Sequence, residues 1–499
     1  MTLLNLSLPQ ATLISISLPL LGFLLHTLLQ QPIRRDSKPL PKAPNTLPLL
    51  GNALHFLRPR HELLGWFVAC QRKHGNATLQ ISVPTVGKGV IISDPKNVEF
   101  VLKNEGVFAK GDFVKSRSWD LFGYGIINAD GDLWKAQRRA GLAFLSAANL
   151  RVLTEVALPK YLGESVEELR GKADGETVVD MQGVFHEVTT RLMGKMAYDM
   201  EMHANDDFTL AFEYASGATA ARFQNPLWKI TEIFLGSKFR RALGLVRSHG
   251  RQIVESATKS RDSEKTPKDG KLDEISGSLV KSLLDSIGDE KLVADSALNY
   301  LSAGRDTTAQ GLTWTLHLLT RHPEEASKMR REIRRILQTA EVSPSYPFTI
   351  KQTTAPSTLP DGTFLPRGSV LLWSPWSMNR SRITWGPDAD SFRPTRWLSF
   401  PDGQDETGDA IPRFVNRPVG EFPVFNGGPR ICLGKKMAEL MAVQVLAVVV
   451  WLFDFVDAAE TGPGGVPAEK KSPISLTLPM EGGLPCFVSL RSYAEDWDG

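Results

Sequence analysis

The ten residues from Phe425 to Gly434, which read FNGGPRICLG, constrain the fold of this chain more than any other segment. Two glycines and a proline exclude a regular helix and predict an irregular loop, while the apolar stretch that follows predicts a helix from about Gly434 to Phe455. Cys432 therefore lies at the amino end of that helix. Unpaired backbone N–H groups and the helix dipole stabilise a thiolate there, which predicts a lowered thiol pKa and a metal ligand.

A second pattern, AGRDTT, lies at residues 303–308 within a long helix predicted from Asp295 to His317. Glycine, aspartate and two threonines are poor helix-interior residues, so we expect a local distortion of the helix. Gly304 lacks a side chain that would block a ligand, and the threonine hydroxyls can bond backward or face the resulting notch. The pattern therefore predicts a binding surface on this helix.

Two further segments add hydrogen-bond donors. Trp134 and Arg138 are four residues apart, so they share one face of a predicted helix. Residues 385–397 read WGPDADSFRPTRW, a proline- and glycine-rich coil that ends on Arg396 and Trp397.

Together these segments, from about Pro39 to the C-terminus, resemble the cytochrome P450 family, because they match its haem-ligand loop, oxygen-binding helix and meander. The resemblance implies a mainly α fold with small β-sheets, and haem b with Cys432 as its axial thiolate ligand. It also implies that Asp306 relays protons and that Thr307 holds a water molecule, as the catalytic pair. The cofactor-binding residues that it implies are Trp134, Arg138, Lys351, Phe425, Arg430, Cys432 and Gly434. Cys70 and Cys486 lack such a loop, and we expect them to pack in the core.

The chain departs from the family between the oxygen-binding helix and the meander. Family members have two helices there, and the second carries a Glu-x-x-Arg pair that binds the meander arginine. This sequence predicts one helix, from His322 to Ala340, before the coil that contains Pro347. Glu332 and Arg335 have the required spacing and could pair with Arg396, or they could belong to the first helix and form a charged surface. In the second case Arg396 would be unpaired and haem incorporation would be in doubt.

The first 33 residues contain no Lys, Arg, Asp or Glu, and the apolar stretch from Ala11 to Leu29 would span roughly 28 Å as a helix. Basic residues follow it, which favours a single-pass anchor with a cytoplasmic body at the endoplasmic reticulum. A buried helix is the alternative. We therefore predict a membrane anchor at 1–33, a proline-rich spacer at 34–52 and a haem-thiolate catalytic domain at 53–499.

A net charge of +3 over 499 residues argues against a nucleic-acid partner. The sequence has no convincing nucleotide-binding loop, so electrons must come from a partner, by resemblance NADPH-cytochrome P450 reductase. Lys435 and Lys436, with Arg413 and Arg417, could form its basic docking face or be an ordinary solvated charge run.

Residues 110–113 (KGDF), 226–229 (PLWK) and the Arg305 variant of the oxygen-binding helix resemble the microsomal fatty-acid and n-alkane hydroxylases of fungi and plants. The resemblance implies a monooxygenase that hydroxylates a lipophilic substrate. The alternative is a non-functional or truncated haem protein without the Glu-x-x-Arg helix. An isomerase or dehydratase of the same fold is disfavoured, because it would not need the Asp306–Thr307 pair. The residues that this likeness places at the pocket, which could equally be core residues, are Phe113, Trp119, Phe122, Phe348 and Met480.

Overall fold

The computed structural model describes residues 32–83, 87–262, 272, 275, 277–335, 349–400, 413–458 and 469–491. Over these residues the fold is mainly helical with small β-sheets, which confirms the predicted architecture of the body. The helices are α1 (Ala53–Phe56), α2 (Arg60–His74), α3 (Pro95–Lys103), α4 (Gly111–Phe122), α5 (Gly131–Phe144), α6 (Ala147–Val152), α7 (Leu158–Gly171), α8 (Met181–Met193), α9 (Asp207–Gln224), α10 (Trp228–Leu235), α11 (Ser237–Asp262), α12 (Ser278–Ile287), α13 (Glu290–Arg321), α14 (Pro323–Arg335), α15 (Pro375–Met378), α16 (Arg382–Trp385) and α17 (Lys435–Leu452). Short π-helical segments, Leu153–Ala157 and Gly194–Tyr198, follow α6 and α8.

The strands are short and form small sheets. They are β1 (Arg34–Arg35), β2 (Lys38–Pro39), β3 (Leu79–Val83), β4 (Gly87–Ile91), β5 (Phe108–Ala109), β6 (Asp174–Asp180), β7 (Thr349–Thr353), β8 (Ser357–Thr358), β9 (Thr363–Leu365), β10 (Val370–Trp373), β11 (Leu398–Ser399), β12 (Arg413–Phe414), β13 (Phe453–Asp457) and β14 (Pro485–Leu490). The sheet orders are β2-β1-β9-β8, β3-β4-β10-β7-β5, β11-β12 and β13-β14-β6. In the second sheet β10 is parallel to β4 and antiparallel to β7, where Lys351 pairs with Leu371.

Helix α13 contains the predicted AGRDTT pattern. It begins after Asp289, whose carboxylate accepts a hydrogen bond from the N–H of Leu292 at 3.0 Å and so satisfies one of the free N–H groups of the first turn. The helix spans 32 residues, which extends the predicted helix at both ends. It runs through residues 303–308 without a break, so these residues do not interrupt the helix.

The main hydrophobic core surrounds α13. Leu312 and Leu316 of α13, Phe185 of α8 and Val445 of α17 are all almost completely buried in this cluster. Burying each such side chain contributes about 1.5–3 kcal/mol to folding. Because α17 follows the Cys432 loop directly, this packing fixes the loop relative to α13.

The predicted anchor lies outside the described residues except for Pro32 and Ile33. The predicted spacer contributes β1 and β2, and its Leu40 and Ala43 are buried against the body. Among the described helices, none alone is long and apolar enough to cross a membrane. Helix α5 together with residues 147–171, which are bent by 47° from it, passes that test of length and composition as a pair.

Cys70 and Cys486 lie in the hydrophobic core, with exposures of 1% and 0%. Burial raises the pKa of each thiol to about 12, so both are protonated at neutral pH. This confirms the expectation that these two cysteines are packed core residues.

Candidate functional site

The loop that carries Cys432 is held by its own backbone. The N–H of Cys432 donates a hydrogen bond to the carbonyl oxygen of Phe425 at 2.7 Å and closes the loop before α17. Asn426 and Gly428 have φ angles of 60° and 61°, in the left-handed region that glycine adopts at least cost. The predicted irregular loop at the amino end of an apolar helix is therefore present.

Gly428 lies where the loop contacts the end of α3. A Cβ atom at this position would lie 2.1 Å from the carbonyl oxygen of Leu102, and that oxygen belongs to the backbone. The loop can therefore approach α3 only if residue 428 has no side chain.

We expect Gly428→Ala to lower the stability of the protein by about 2 kcal/mol or more, because a positive φ and a backbone clash would act together. Thermal unfolding of the purified variant measures this effect. Gly244→Ala is the matched control, since Gly244 lies within α11 and its added methyl group would meet no atom within 4 Å. Equal melting temperatures for Gly428→Ala and the unsubstituted protein would contradict the described contact with Leu102.

The side chain of Cys432 reaches solvent, although protein atoms surround much of its thiol. Its side chain is exposed, although burial raises the pKa of the thiol above its usual value. The backbone N–H groups of Gly434 and Lys435 and the charge of Arg138 favour the thiolate, but they do not outweigh the burial. The prediction that the protein lowers the pKa of the Cys432 thiol is therefore wrong. The backbone N–H groups stabilise the thiolate less than desolvation destabilises it.

Arg430 organises the polar side of the site. Its guanidinium contacts the carboxylate of Glu105, donates to Asp130 at 2.8 Å and to the carbonyl oxygen of Ala129 at 2.9 Å, and lies 4.3 Å from the ring centroid of Trp134. A guanidinium so held has a fixed orientation.

Arg138 approaches the same loop from α5. Its Nη1 donates to the carbonyl oxygen of Ile431 at 3.1 Å, and its guanidinium lies 5.5 Å from the ring centroid of Trp134. The structure thus brings three of the predicted cofactor-binding residues, Trp134, Arg138 and Arg430, together beside Cys432.

Two lysines, Lys110 and Lys351, lie near Arg430. Together with Arg138 these side chains form the basic cluster of the site. Lys351, on β7, is 3% exposed, and burial lowers its pKa. Burial and the nearby charge of Lys351 lower the pKa of Lys110 to about 7. The charges of Arg430, Glu105 and Asp130 act on both lysines. Lys110 was not among the predicted site residues, and its place between β5 and α4, at the start of the KGDF segment, is the only signal in the sequence that marks it.

One face of α13 opens in the middle of an otherwise buried helix. Ala303 is exposed and Thr307 is half-buried, whereas most neighbouring residues are buried. The hydroxyl of Thr307 donates to the carbonyl oxygen of Ala303 at 2.7 Å, which is the backward bond that we expected as one possibility. Gly304 does not open a notch, because a Cβ there would lie 2.6 Å from Sδ of Met193; the missing side chain makes room for α8.

Asp306 is fixed by its neighbour in the chain. Its carboxylate accepts a hydrogen bond from Nε of Arg305 at 2.6 Å, and both side chains are almost fully buried. Glu213 of α9 lies 4.0 Å from the same guanidinium and is half exposed, and burial raises its pKa. Asp306, Arg305 and Glu213 therefore form a row of three charged side chains that ends at the surface, at Glu213.

His186 of α8 lies near Arg305 and Asp306, and its lowered pKa predicts that the fold is less stable in acid. Burial, together with the charge of Arg305, lowers its pKa to about 4 against the opposing effect of Asp306. An unfolded histidine takes up its proton near pH 6.5, so the free energy of unfolding should fall as the pH drops from about 6.5 to about 4. His186→Gln should flatten this decline in thermal unfolding measured across pH, while His61→Gln, at an exposed residue, should not. An unchanged pH profile in His186→Gln would contradict the assignment.

The donor set fits the haem that the resemblance implies. The thiol of Cys432 is exposed, and a Cβ at Gly434 would meet no protein atom within 4 Å. The arginines and lysines of the basic cluster suit the two carboxylates of a haem, and thiolate is a ligand of haem iron. Ala303 and Thr307, in the middle of α13, are also accessible to a ligand. Thiol, cations and an open helix face are thus all available within the described residues.

A sequence model of the cytochrome P450 family matches residues 41–348 and 342–483. The chain belongs to the cytochrome P450 family. The members of this family are haem-thiolate monooxygenases, which hold haem b through a cysteine ligand. The two matched parts overlap at residues 342–348. This overlap lies outside the residues that the structure describes.

Curated relatives of this P450 align over most of its length. Cytochrome P450 monooxygenase cyp1 of Mycosarcoma maydis is 29% identical over 92% of this chain and 77% of its own. Cytochrome P450 94B1 of Arabidopsis thaliana is 27% identical over 97% and 98%, and cytochrome P450 94A1 of Vicia sativa is 28% identical over 90% of each chain. Together with the family match, these alignments over most of each chain do not favour the alternative of a non-functional or truncated variant without the Glu-x-x-Arg helix.

The meander arginine of this P450 is not unpaired. Arg396 donates to the carbonyl oxygens of Trp385, Asp388 and Ser391 at 3.1–3.2 Å, and lies 3.5 Å from the carboxylate of Asp388. Arg396 therefore has acceptors within the meander, whereas its pairing with Glu332 stays a prediction. Glu332 lies within α14 and Arg335 ends it, but the contacts of their side chains are outside the described part of the chain.

The residues proposed for the pocket are dispersed. Phe113 lines an apolar pocket, Phe122 and Met480 are buried in the main core, and Trp119 is 40% exposed. Phe348 lies outside the described residues. Of these residues in the described part of the chain, Phe113 lines that pocket.

Two residues of the proposed docking face have local partners. Lys435 lies 3.7 Å from Glu439, and Arg417 donates to the carbonyl oxygen of Arg396 at 3.2 Å. The docking role of this face remains a prediction.

Proposed function

We propose that this P450 hydroxylates a lipophilic substrate of the fatty-acid or alkane type, with dioxygen and with electrons from NADPH-cytochrome P450 reductase. We further propose the domain boundaries given above, with an anchor that holds the body on the cytoplasmic face of the endoplasmic reticulum membrane. The observation that carries the proposal is the convergence of Cys432 with Trp134, Arg138 and Arg430 on one loop.

Each residue of the site has a defined part in this proposal. Cys432 would hold the iron, and the basic cluster, including Lys351, would hold the propionates of the haem. Phe425 would close the loop through its carbonyl oxygen, and Gly434 would leave space beside the thiolate. When bound, the haem supplies the redox chemistry that activates dioxygen.

The protein supplies the protons. One oxygen atom enters a C–H bond and the other leaves as water, which consumes two protons and two electrons. Asp306 can pass protons toward the hydroxyl of Thr307, which lies on the open face of α13. Arg305 holds the Asp306 carboxylate in place, and Glu213 lies at the surface end of this row of charged side chains.

Reconstitution tests this function. Purified full-length protein with NADPH-cytochrome P450 reductase and NADPH should convert dodecanoic acid or dodecane to alcohols that carry one atom of ¹⁸O from ¹⁸O₂. Omission of the reductase is the control and should stop product formation. Alcohols without ¹⁸O, whose oxygen would come from water, or turnover without NADPH, would contradict the proposal.

A further inference from the structure

Arg305 of α13 lies between two carboxylates. Its side chain is 1% exposed, and its Nε donates to Asp306 at 2.6 Å. Its Nη2 lies 4.0 Å from the carboxylate of Glu213 on α9, which is too far for a direct hydrogen bond. The Glu213 side chain is 50% exposed. The guanidinium therefore separates a buried acid from an acid at the surface.

The outer nitrogens of this guanidinium have no hydrogen-bond acceptor among the described residues. Nη1 and Nη2 of Arg305 are both buried, and neither donates to a described group. Buried donors are rarely left without an acceptor, because the loss of their hydration costs free energy. Water can join polar groups that are more than about 3.5 Å apart. We therefore expect bound water at these two nitrogens, next to Glu213.

Helix α8 supplies further polar groups on the face that packs against α13. Residues 186, 190 and 193 share this face of α8, and Met193 contacts α13 at Gly304. Nδ1 of His186 and Oγ1 of Thr190 are buried and have no hydrogen-bond partner in the described part of the chain. A buried water molecule needs two to four polar partners. The guanidinium of Arg305 and these two groups are of the kind that provides them.

The surroundings of Glu213 favour exchange of a proton. Burial raises the pKa of Glu213, the charge of Arg305 opposes this effect, and the charge of Asp306 adds to it. From α11, the Nζ of Lys238 lies 4.2 Å from the ring centroid of Tyr214, the residue after Glu213. A carboxyl group with a raised pKa releases and regains its proton more readily near neutral pH than an ordinary glutamate.

We propose that Glu213 is the residue at which protons enter the protein from solvent on their way to Asp306. The inference rests on the proposed function, whose reaction consumes two protons for each product molecule. It names the residue that receives those protons first. Glu213 touches no reacting atom and acts only through Asp306, so it is a positioning residue and not a catalytic one.

The transfer leaves the protein unchanged after each cycle. A proton from solvent converts the Glu213 carboxylate to the acid. The acid passes this proton, through water bound at Arg305, to the Asp306 carboxylate, and Glu213 returns to its ionised form. Arg305 keeps its own protons, because a guanidinium does not ionise at neutral pH, and it only holds the water in place. Asp306 passes the proton on toward Thr307, and a second cycle delivers the second proton.

Turnover in H₂O and in D₂O tests this inference on the haem-loaded full-length protein, with the reductase, NADPH and dodecanoic acid. Glu213→Gln should lower the rate about 10- to 100-fold, the range found when a group that supports a functional residue is lost. It should also raise the ratio of the rates in H₂O and D₂O, because proton entry then limits turnover. Glu213→Asp, which keeps the carboxyl group, should recover part of the rate. Glu167→Gln, at an exposed glutamate of α7, is the control and should change neither value.

Infrared spectroscopy of the resting, haem-loaded protein gives a second result that needs no turnover. A protonated carboxyl band that titrates above the usual pKa of glutamate should be present in the unsubstituted protein and in Glu167→Gln. The same band should be absent in Glu213→Gln. A band that survives in Glu213→Gln would overturn the inference.

An unchanged rate in Glu213→Gln would also overturn the inference. A lower rate with an unchanged isotope ratio would overturn it as well, because Glu213 would then only support the fold. The proposed function is tested separately by the unsubstituted protein. If that protein forms no product, the function fails; if it forms product and Glu213→Gln behaves in the same way, the function stands and the role of Glu213 fails.

Discussion

Cys432→Ser should abolish the thiolate-type spectrum of the reduced, carbon monoxide-bound protein and reduce turnover more than about 100-fold. Loss of a group that merely orients a metal ligand already costs 10- to 100-fold, and Cys432 is proposed to be the ligand itself. Serine has nearly the same shape, but its hydroxyl is not ionised at neutral pH. Haem content and the carbon monoxide difference spectrum measure the effect.

Cys70→Ala is the matched control for this variant. Cys70 is buried in a separate cluster with Leu63, Phe67 and Leu79, so its loss should leave the spectrum intact. A thiolate-type spectrum that survives in Cys432→Ser, or one that is lost in Cys70→Ala, would contradict the assignment of the ligand.

Asp306→Asn should lower the hydroxylation rate about 10²- to 10⁴-fold, the contribution expected of a positioned acid. It should also lower the stability by about 3–5 kcal/mol, because Arg305 would remain buried without its close partner. Product formation with the reductase and thermal unfolding of the same preparation measure the two effects.

A double variant separates the two roles of Asp306. Arg305→Met with Asp306→Leu removes both charges, and replacement of a buried pair by apolar residues is often neutral for stability. We expect this variant to regain most of the stability and none of the hydroxylation rate. Recovery of both would show that Asp306 acts only in folding, which would contradict its proposed role.

Local sequence information was enough for the elements that surround the site. The glycines and proline before Cys432 dictate a loop, and the apolar run after it dictates α17, so both could be predicted. The spacing of Trp134 and Arg138 likewise places them on one face of α5, where both contact the ligand loop or its arginine.

Properties that depend on burial could not be predicted from the spacing of residues. The pKa of Cys432 is raised because desolvation exceeds the effect of the nearby N–H groups. Gly304 accommodates Met193 from another helix, and α13 continues without a break because tertiary packing overrides weak helix propensity. Lys110 gains its importance from neighbours distant in sequence, Lys351 and Arg430.

The carbon monoxide difference spectrum of the reduced full-length protein tests the central claim most directly. Thiolate ligation through Cys432 predicts the red-shifted Soret band that distinguishes haem-thiolate proteins from those with a histidine ligand. A purified, haem-loaded protein that shows only the histidine-type band, or that takes up no haem, would contradict the assignment of this chain as a functional haem-thiolate monooxygenase.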